Sequence, residues 1–347
     1  SGRLTAHVRG EFRDGLVHLR QLAAAVSGLR IERGKTAISR KKVSVSAEGR
    51  ADMRDEPLTL HEMSLKAETP GLTARIQSAK AVVTPRWEKL SADLRGTINV
   101  PLETLDPLLR QLSVLPGGGV LKGQTDLSWK SSVSDGRITL ESMDAVIQDF
   151  VLGGGSNTLR QDKVSLAASG HVVPLNRAAN IKSASLTCSA GRLKAQNVAI
   201  PDWQSMESGA GGRVSASFDL EPALKMAGTF VDVPKKLRAA GEADLMANYT
   251  TRKQADEANL RLRISNLELR GKGKEPFREE SVEVTGEMQI QPSRERCSFV
   301  PFTLSSSPGI LALQCSGSFA DWSGARRLRA AGVSRPSPAG SRGGRRD

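Results

Sequence analysis

Three stretches of this 347-residue chain follow one pattern, and a period this long points to an array of like units rather than one compact domain. The reference copy runs from Leu90 to Trp203. A second copy follows about 118 residues on, matching Ile147 with Ile264, Val164 with Val282, Leu186 with Leu304, Gly191 with Gly309 and Trp203 with Trp322. An earlier copy lies about 121 residues back, matching Ile31 with Leu152, Gly34 with Gly155, Lys42 with Lys163 and Gly49 with Gly170. The repeats divide the chain into a shortened first unit (1–89), a second (90–203), a third (204–322) and a basic tail (323–347).

Within each copy the dominant period is two, the mark of a half-buried strand. Val43, Val45 and Ala47 alternate with Ser44, Ser46 and Glu48, and KVSLAASG and SVEVTGEMQI alternate likewise. Each copy then reaches a hairpin: MSLKAETPGLTARI, ASLTCSAGRLKAQ and FTLSSSPGILALQ. Pro-Gly or Ala-Gly at the tip supplies the turn conformations that other residues resist. The expected fold is therefore mainly β, an elongated antiparallel sheet with one apolar and one polar face. Residues 4–10 (LTAHVRG) match residues 90–96 (LSADLRG), and a short helix is expected after each. In the first copy the helix is LVHLRQLAAAVSGL, with Leu16, Leu19, Leu22, Ala23 and Val26 at helical spacing. In the second, Asp106-Pro107 offers a cap and first turn, and EPALKMAGTF is the weaker third version. The first copy lacks a piece that the second holds between about Ser113 and Ile147, read as the strands GVLKGQTDLSWK and GRITLESM. Trp87, Trp203 and Trp322, with Pro85 and Pro201, are expected to close the units.

Composition removes several function classes. The net charge of +13 suggests nucleic acid until it is located. From Arg326 to Asp347 there are seven arginines and one acid, so this Pro/Gly/Ser/Arg-rich tail, expected to be disordered, carries +6 of it. The remaining charge interleaves with acids, as on a solvated surface. Aromatics are 4% of residues, too few for the stacking platforms of a single-strand binder. No helix-turn-helix or zinc module appears, so no specific nucleic-acid partner is expected.

Enzyme chemistry is equally thin. His7, His18, His61 and His171 are scattered, none at metal-ligand spacing. Gly117–Gly119, Gly153–Gly155 and the GKGK at 271–274 lack the context of a phosphate loop, and no nucleophile elbow occurs. No catalytic, cofactor or metal residues are assigned. Cys188, Cys297 and Cys315 are too few for a disulfide framework, although Cys297 and Cys315 flank a hairpin and could lie near each other across it. No apolar run reaches the ~20 residues of a membrane span. The chain starts without Met and shows no signal peptide, so it reads as a fragment whose targeting segment is missing.

The phrase LSADLRGTINVPLETLDPLLRQL, then VLKGQTDL and the alternating meander ending IQDFVL, resembles the AsmA-like proteins, relatives of TamB and of the repeating β-groove lipid-transfer proteins. The resemblance covers roughly residues 4–322. It implies a long twisted sheet curled into an apolar trough. It also implies a periplasmic protein held at the inner membrane by an N-terminal anchor missing here, with envelope proteins as possible partners. Phospholipid movement between inner and outer membrane and outer-membrane maintenance are the function it implies.

A physical reading runs the same way. A one-sided sheet must hide its apolar face, and burying each CH₂ of a lipid tail is worth ~0.8 kcal/mol. The candidate lining residues are Val43, Val45, Leu65, Leu72, Leu166, Leu186, Leu193, Val284, Leu304, Leu311 and Leu313. The rival reading is a structural spacer or interaction module whose apolar face is filled by its own side chains.

Overall fold

The computed structural model of the chain describes residues 3–33, 36–54, 57–84, 86, 89–104, 120–154, 157–202, 210–228, 234, 237–251, 256–271, 275–291, 296–307, 312–320 and 328–329. Almost all of this is strand. In chain order the strands are β1 (Arg3–Arg13), β2 (Leu16–Arg33), β3 (Thr36–Asp52), β4 (Leu58–Thr69), β5 (Leu72–Val83) and β6 (Ser91–Pro101). Then come β7 (Val120–Ser134), β8 (Arg137–Gly154), β9 (Asn157–Val173), β10 (Ala178–Cys188), β11 (Gly191–Ile200) and β12 (Gly211–Asp219). The series ends with β13 (Arg238–Thr251), β14 (Asp256–Arg270), β15 (Phe277–Gln291), β16 (Arg296–Ser307), β17 (Ala312–Ala320) and the short β18 (Leu328–Arg329). Each strand pairs antiparallel with its neighbours in sequence, giving one open meander with β1 at one edge.

A meander this long has little interior. Among the described residues no large side chain is fully buried. The buried apolar residues lie mostly toward strand ends, for example Ala81, Val100, Leu121 and Val133.

The turns follow local chemistry. Asp14-Gly15 and Asp135-Gly136 join β1 to β2 and β7 to β8 with positive φ at both central residues, the turn that matches strand twist. Pro70-Gly71 joins β4 to β5 with Gly71 at φ 83, as a type II turn requires. The tip of the corresponding hairpin in the third copy lies outside the described residues.

The repeat is visible in the pairing. Val26 faces Val43, Ile147 faces Val164 and Ile264 faces Val282. Gly28, Asp149 and Asn266, at matching places in the three copies, all adopt left-handed backbone. Two of them face a second positive-φ residue, Gly123 at φ 137 and Gly241 at φ 126, across a register shift. The sheet runs through the expected unit boundaries unbroken, with β5 paired to β6 and β11 to β12.

The three expected helices fare differently. The stretch expected as the first helix is strand β2, bonded on both sides. Leu19 faces Gly49 and Leu22 faces Ala47, so an extra residue sits between them and both point the same way. A bulge thus reproduces the three-residue spacing of a helix. The second helix lies outside the described residues. The third is present as α1 (Leu220–Ala227), where the Asp219 side chain accepts from the Glu221 N–H at 3.0 Å and Lys225 pairs with Glu221 at 2.8 Å.

The match of residues 4–10 with 90–96 is not a structural equivalence. If β2 corresponds to β8, then β1 takes the place of β7, and in an antiparallel meander β6 runs the opposite way. Cys297 faces Phe319 while Cys315 faces Phe302, and both cysteines are free. Of the tail, only Leu328 and Arg329 are described. They pair with Phe319 and Ser318. Trp87, Trp203, Trp322 and Pro85 lie outside the described residues.

Candidate functional site: a continuous apolar face

Residues directly opposite one another on neighbouring strands share a face of the sheet. Following those partners strand by strand from β1 draws one line across the molecule. It runs Ala6, Ala24, Val45, Ala67, Ala74 and Ile98 through β6. It continues through Leu127, Ala145, Leu166, Leu186, Leu193 and Ala216 on β7 to β12. It finishes with Leu245, Leu262, Val284, Leu304 and Leu313 on β13 to β17. Every position is apolar. At about 4.8 Å between strands the line is about 75 Å long.

A second line on the same face, two residues along, is also free of polar side chains. It passes Val8, Leu22, Ala47, Leu65, Ile76 and Gly96. From Trp129 it goes on through Met143, Ala168, Ala184, Ala195, Val214, Ala247, Leu260 and Gly286. The same walk one residue over, on the other face, passes Ser44, Glu68, Thr73, Asn99 and Asp126. After Val146 it continues through Ser165, Thr187, Arg192, Ser217, Asp244, Arg263, Glu283 and Ser305 to Ala312, so that the polar residues predominate.

The polar face is laced by cross-strand bonds. Gln124 donates to Asn99 at 2.8 Å, Arg213 to Asn248 at 2.9 Å and Arg261 to Glu283 at 2.6 Å. Such exposed pairs each contribute little, and their effect is to keep this side wet.

Ten of the eleven lining residues predicted from sequence are described, and all ten fall on the apolar face. Val45, Leu166, Leu186, Leu193, Val284, Leu304 and Leu313 lie on the first line and Leu65 on the second. Val43 is opposite Val26, and Leu72 shares the side of Ala74. Leu311 is outside the described residues. Among the described residues in the middle of this face, Leu186 is 37% exposed and Leu193 43%. The described helix packs locally, against β12 and β13.

Bulky residues lie over glycines on this face at four places that pattern-reading missed. A Cβ at Gly96 would stand 2.0 Å from the Trp129 indole, and one at Gly49 would stand 2.2 Å from Met63 Sδ. Phe302 covers Gly286 and Val198 abuts Gly212 at 2.7 Å and 2.8 Å by the same measure. The glycine in each pair removes a side chain so that its neighbour can lie flat.

One polar feature interrupts the apolar side near its margin. The Tyr249 hydroxyl donates to buried Asp256 at 2.7 Å, and burial pushes the phenol pKa up. Beside it is a cavity of about 290 Å³ lined mainly by apolar groups, among them Val198, Ile200, Val214, Ala247 and Tyr249. A hollow of about 540 Å³ elsewhere is lined by the acids Glu48, Glu62, Asp93 and Glu141, with Arg95 and Lys130 among them. Among the described residues no three His, Cys, Asp or Glu gather as metal ligands. No described helix is long and apolar enough to cross a membrane. Compared with family models, curated proteins and solved structures, the chain gives no match.

Proposed function

We propose that the apolar face carries the acyl chains of phospholipids, and that the sheet curls into a trough around them as in the AsmA-like proteins it resembles. The observation that supports this reading is the uninterrupted apolar line from Ala6 to Leu313. A strip about 75 Å long and 7 Å wide amounts to about 500 Å². Contiguous apolar patches beyond a few hundred Å² normally mark a binding surface. The exposure of Leu186 and Leu193 on that strip favours cargo over a spacer filled by its own side chains.

The mechanism needs no catalytic group. Tails lie against the Leu and Ala lines while head groups stay in water beyond the strand ends. Because each position along the line resembles the next, a tail moves from strand to strand without crossing water. Bulges at strand margins add twist of one hand and supply the curvature. The setting is the periplasm, with the inner membrane at one end and envelope proteins or the outer membrane at the other, and no enzymatic step is involved.

The test is solvent extraction of the purified chain followed by mass spectrometry, together with titration by a fluorescent phospholipid. Co-purified phospholipid and saturable binding are expected. A clean extract with no binding returns the chain to the spacer reading.

A further inference from the structure

The second and third units part ways at one place on the apolar face. In the second unit Leu94 faces Ser131, and Gly96 faces Trp129, whose indole lies over the glycine. The pairs 118 residues on are Gly212 with Tyr249 and Val214 with Ala247, in the same register between β12 and β13. Leu94 and Trp129 thus give way to Gly212 and Ala247, while Ser131 and Gly96 give way to Tyr249 and Val214. The two small residues stand on one diagonal of the four and the two large ones on the other. All four line the cavity of about 290 Å³.

A bulge completes its wall. Between Gln196 and Ala199 the register of β11 against β12 shifts, Asn197 takes left-handed backbone and Val198 closes against Gly212. Val214 and Ala247 also belong to the second apolar line, so the cavity is continuous with it.

The charge around this cavity is one-sided. Asp202 lines it, and the Tyr249 hydroxyl donates to buried Asp256 at 2.7 Å. Among the described residues that line it there is no Lys, Arg or His. A tyrosine ring attracts cations through its face, and a carboxylate hydrogen-bonded to its hydroxyl adds to that attraction.

We propose that this cavity binds an alkyl chain ending in an ammonium group. The chain lies among Val198, Val214 and Ala247, and the ammonium stands by the Tyr249 ring and Asp202. A carboxylate head is repelled by the same groups, so selection comes from a penalty on the wrong ligand as well as attraction to the right one. The two apolar lines treat all tails alike, whereas here the head group decides how long a lipid stays. The inference rests on the lipid reading of the face and adds a preference for cationic heads.

Tyr249 is the only tyrosine in the chain, so [¹³Cζ]tyrosine places a single NMR resonance at the cavity. Decylammonium and decanoate, equal in tail and opposite in charge, are titrated against the full chain below their micelle-forming concentrations. Decylammonium is expected to shift the resonance saturably and to bind at least tenfold more tightly than decanoate. Decanoyl lysophosphatidylethanolamine distinguishes the source: competition with decylammonium assigns the cavity to a phospholipid head, and no competition assigns it to a simple amine. The double variant Val214→Gly/Ala247→Trp, which copies the Gly96–Trp129 pair, should lose decylammonium binding while fluorescent-phospholipid binding stays within twofold. Asp256→Asn, which keeps an acceptor for the Tyr249 hydroxyl, should bring the two affinities within threefold of each other. Equal affinities in the unaltered chain, or decylammonium binding that survives the double variant, would overturn the proposal. Fluorescent phospholipid bound with no response to decylammonium would overturn this site and leave the trough standing, and failure of both ligands would overturn both.

Discussion

The Trp129 indole lies flat across Gly96, its direct partner on the neighbouring strand, so closely that a Cβ at residue 96 would come within 2.0 Å of Cζ2. The contact stands in the second apolar line, between Ile76 and Met143. It keeps the largest side chain of that face low, where an upright indole would obstruct the strip.

Gly96→Ala should therefore lift the indole. The expected cost is about 1–3 kcal/mol, the range for overpacking a tight contact, read as a fall in the urea midpoint. A ¹⁹F spectrum of 5-fluorotryptophan-labelled protein should show the Trp129 resonance moving toward its solvent-exposed position. A shift in neither measurement would mean that the ring is not seated on Gly96.

Placing a charge in the apolar line should separate the two faces. Leu186→Glu and Leu193→Glu, at half-exposed and directly opposed positions, are expected to weaken fluorescent-lipid binding about tenfold, or about 1.4 kcal/mol. Thr187→Glu and Arg192→Glu, also directly opposed but on the polar face, should leave it within twofold. Equal effects from both pairs would count against the apolar line as the binding surface.

The turn between β1 and β2 carries a local acid-sensitive clamp. The Met53 N–H donates to the Gly15 carbonyl at 2.9 Å, and the Arg54 guanidinium holds Asp52 at 2.6 Å. Hydrogen bonds from the Arg54 side chain and backbone lower the Asp52 pKa from 3.8 to about 2. A carboxyl depressed by folding contributes stability above its unfolded pKa and loses it as pH falls through the folded value. The contribution is thus full above about pH 4 and gone below about pH 2. Titration followed by NMR should place Asp52 near the lower value in the native chain, and Arg54→Ala should return it toward 3.8.

The three thiols should react in an order set by the sheet. Cys315 is exposed on β17, Cys188 half-buried at the end of β10, and Cys297 buried, with burial pushing its thiol pKa up. Thiolate is the reactive form. Cys315 is expected to label first with a maleimide under native conditions and Cys297 last, at least tenfold more slowly. Mass mapping of a time course checks the order, and early labelling of Cys297 would contradict its placement.

Much of this arrangement was legible in the residues. Alternation of Val43, Val45 and Ala47 with Ser44, Ser46 and Glu48 identifies a strand with two unlike faces, because side chains on a strand alternate strictly. The Pro70-Gly71 turn is legible for the same local reason. The first helix was misread because Leu19 and Leu22 carry helical spacing, while the bulge that produces this spacing depends on Gly10 and Gly49 in the neighbouring strands. Asp14-Gly15, the turn that opens β2, was the local signal that could have corrected the reading. The seating of Trp129 on Gly96 could not be read, since the two residues are 33 positions apart and meet only through the register of β6 and β7.

By itself the sequence determined that the chain is mostly strand, that it repeats, and that each strand has one apolar side, because these follow from local periodicity. Only the tertiary structure decided that those sides form one line from Ala6 to Leu313, since a slip of one residue at any pairing would have turned the following strands to the opposite face.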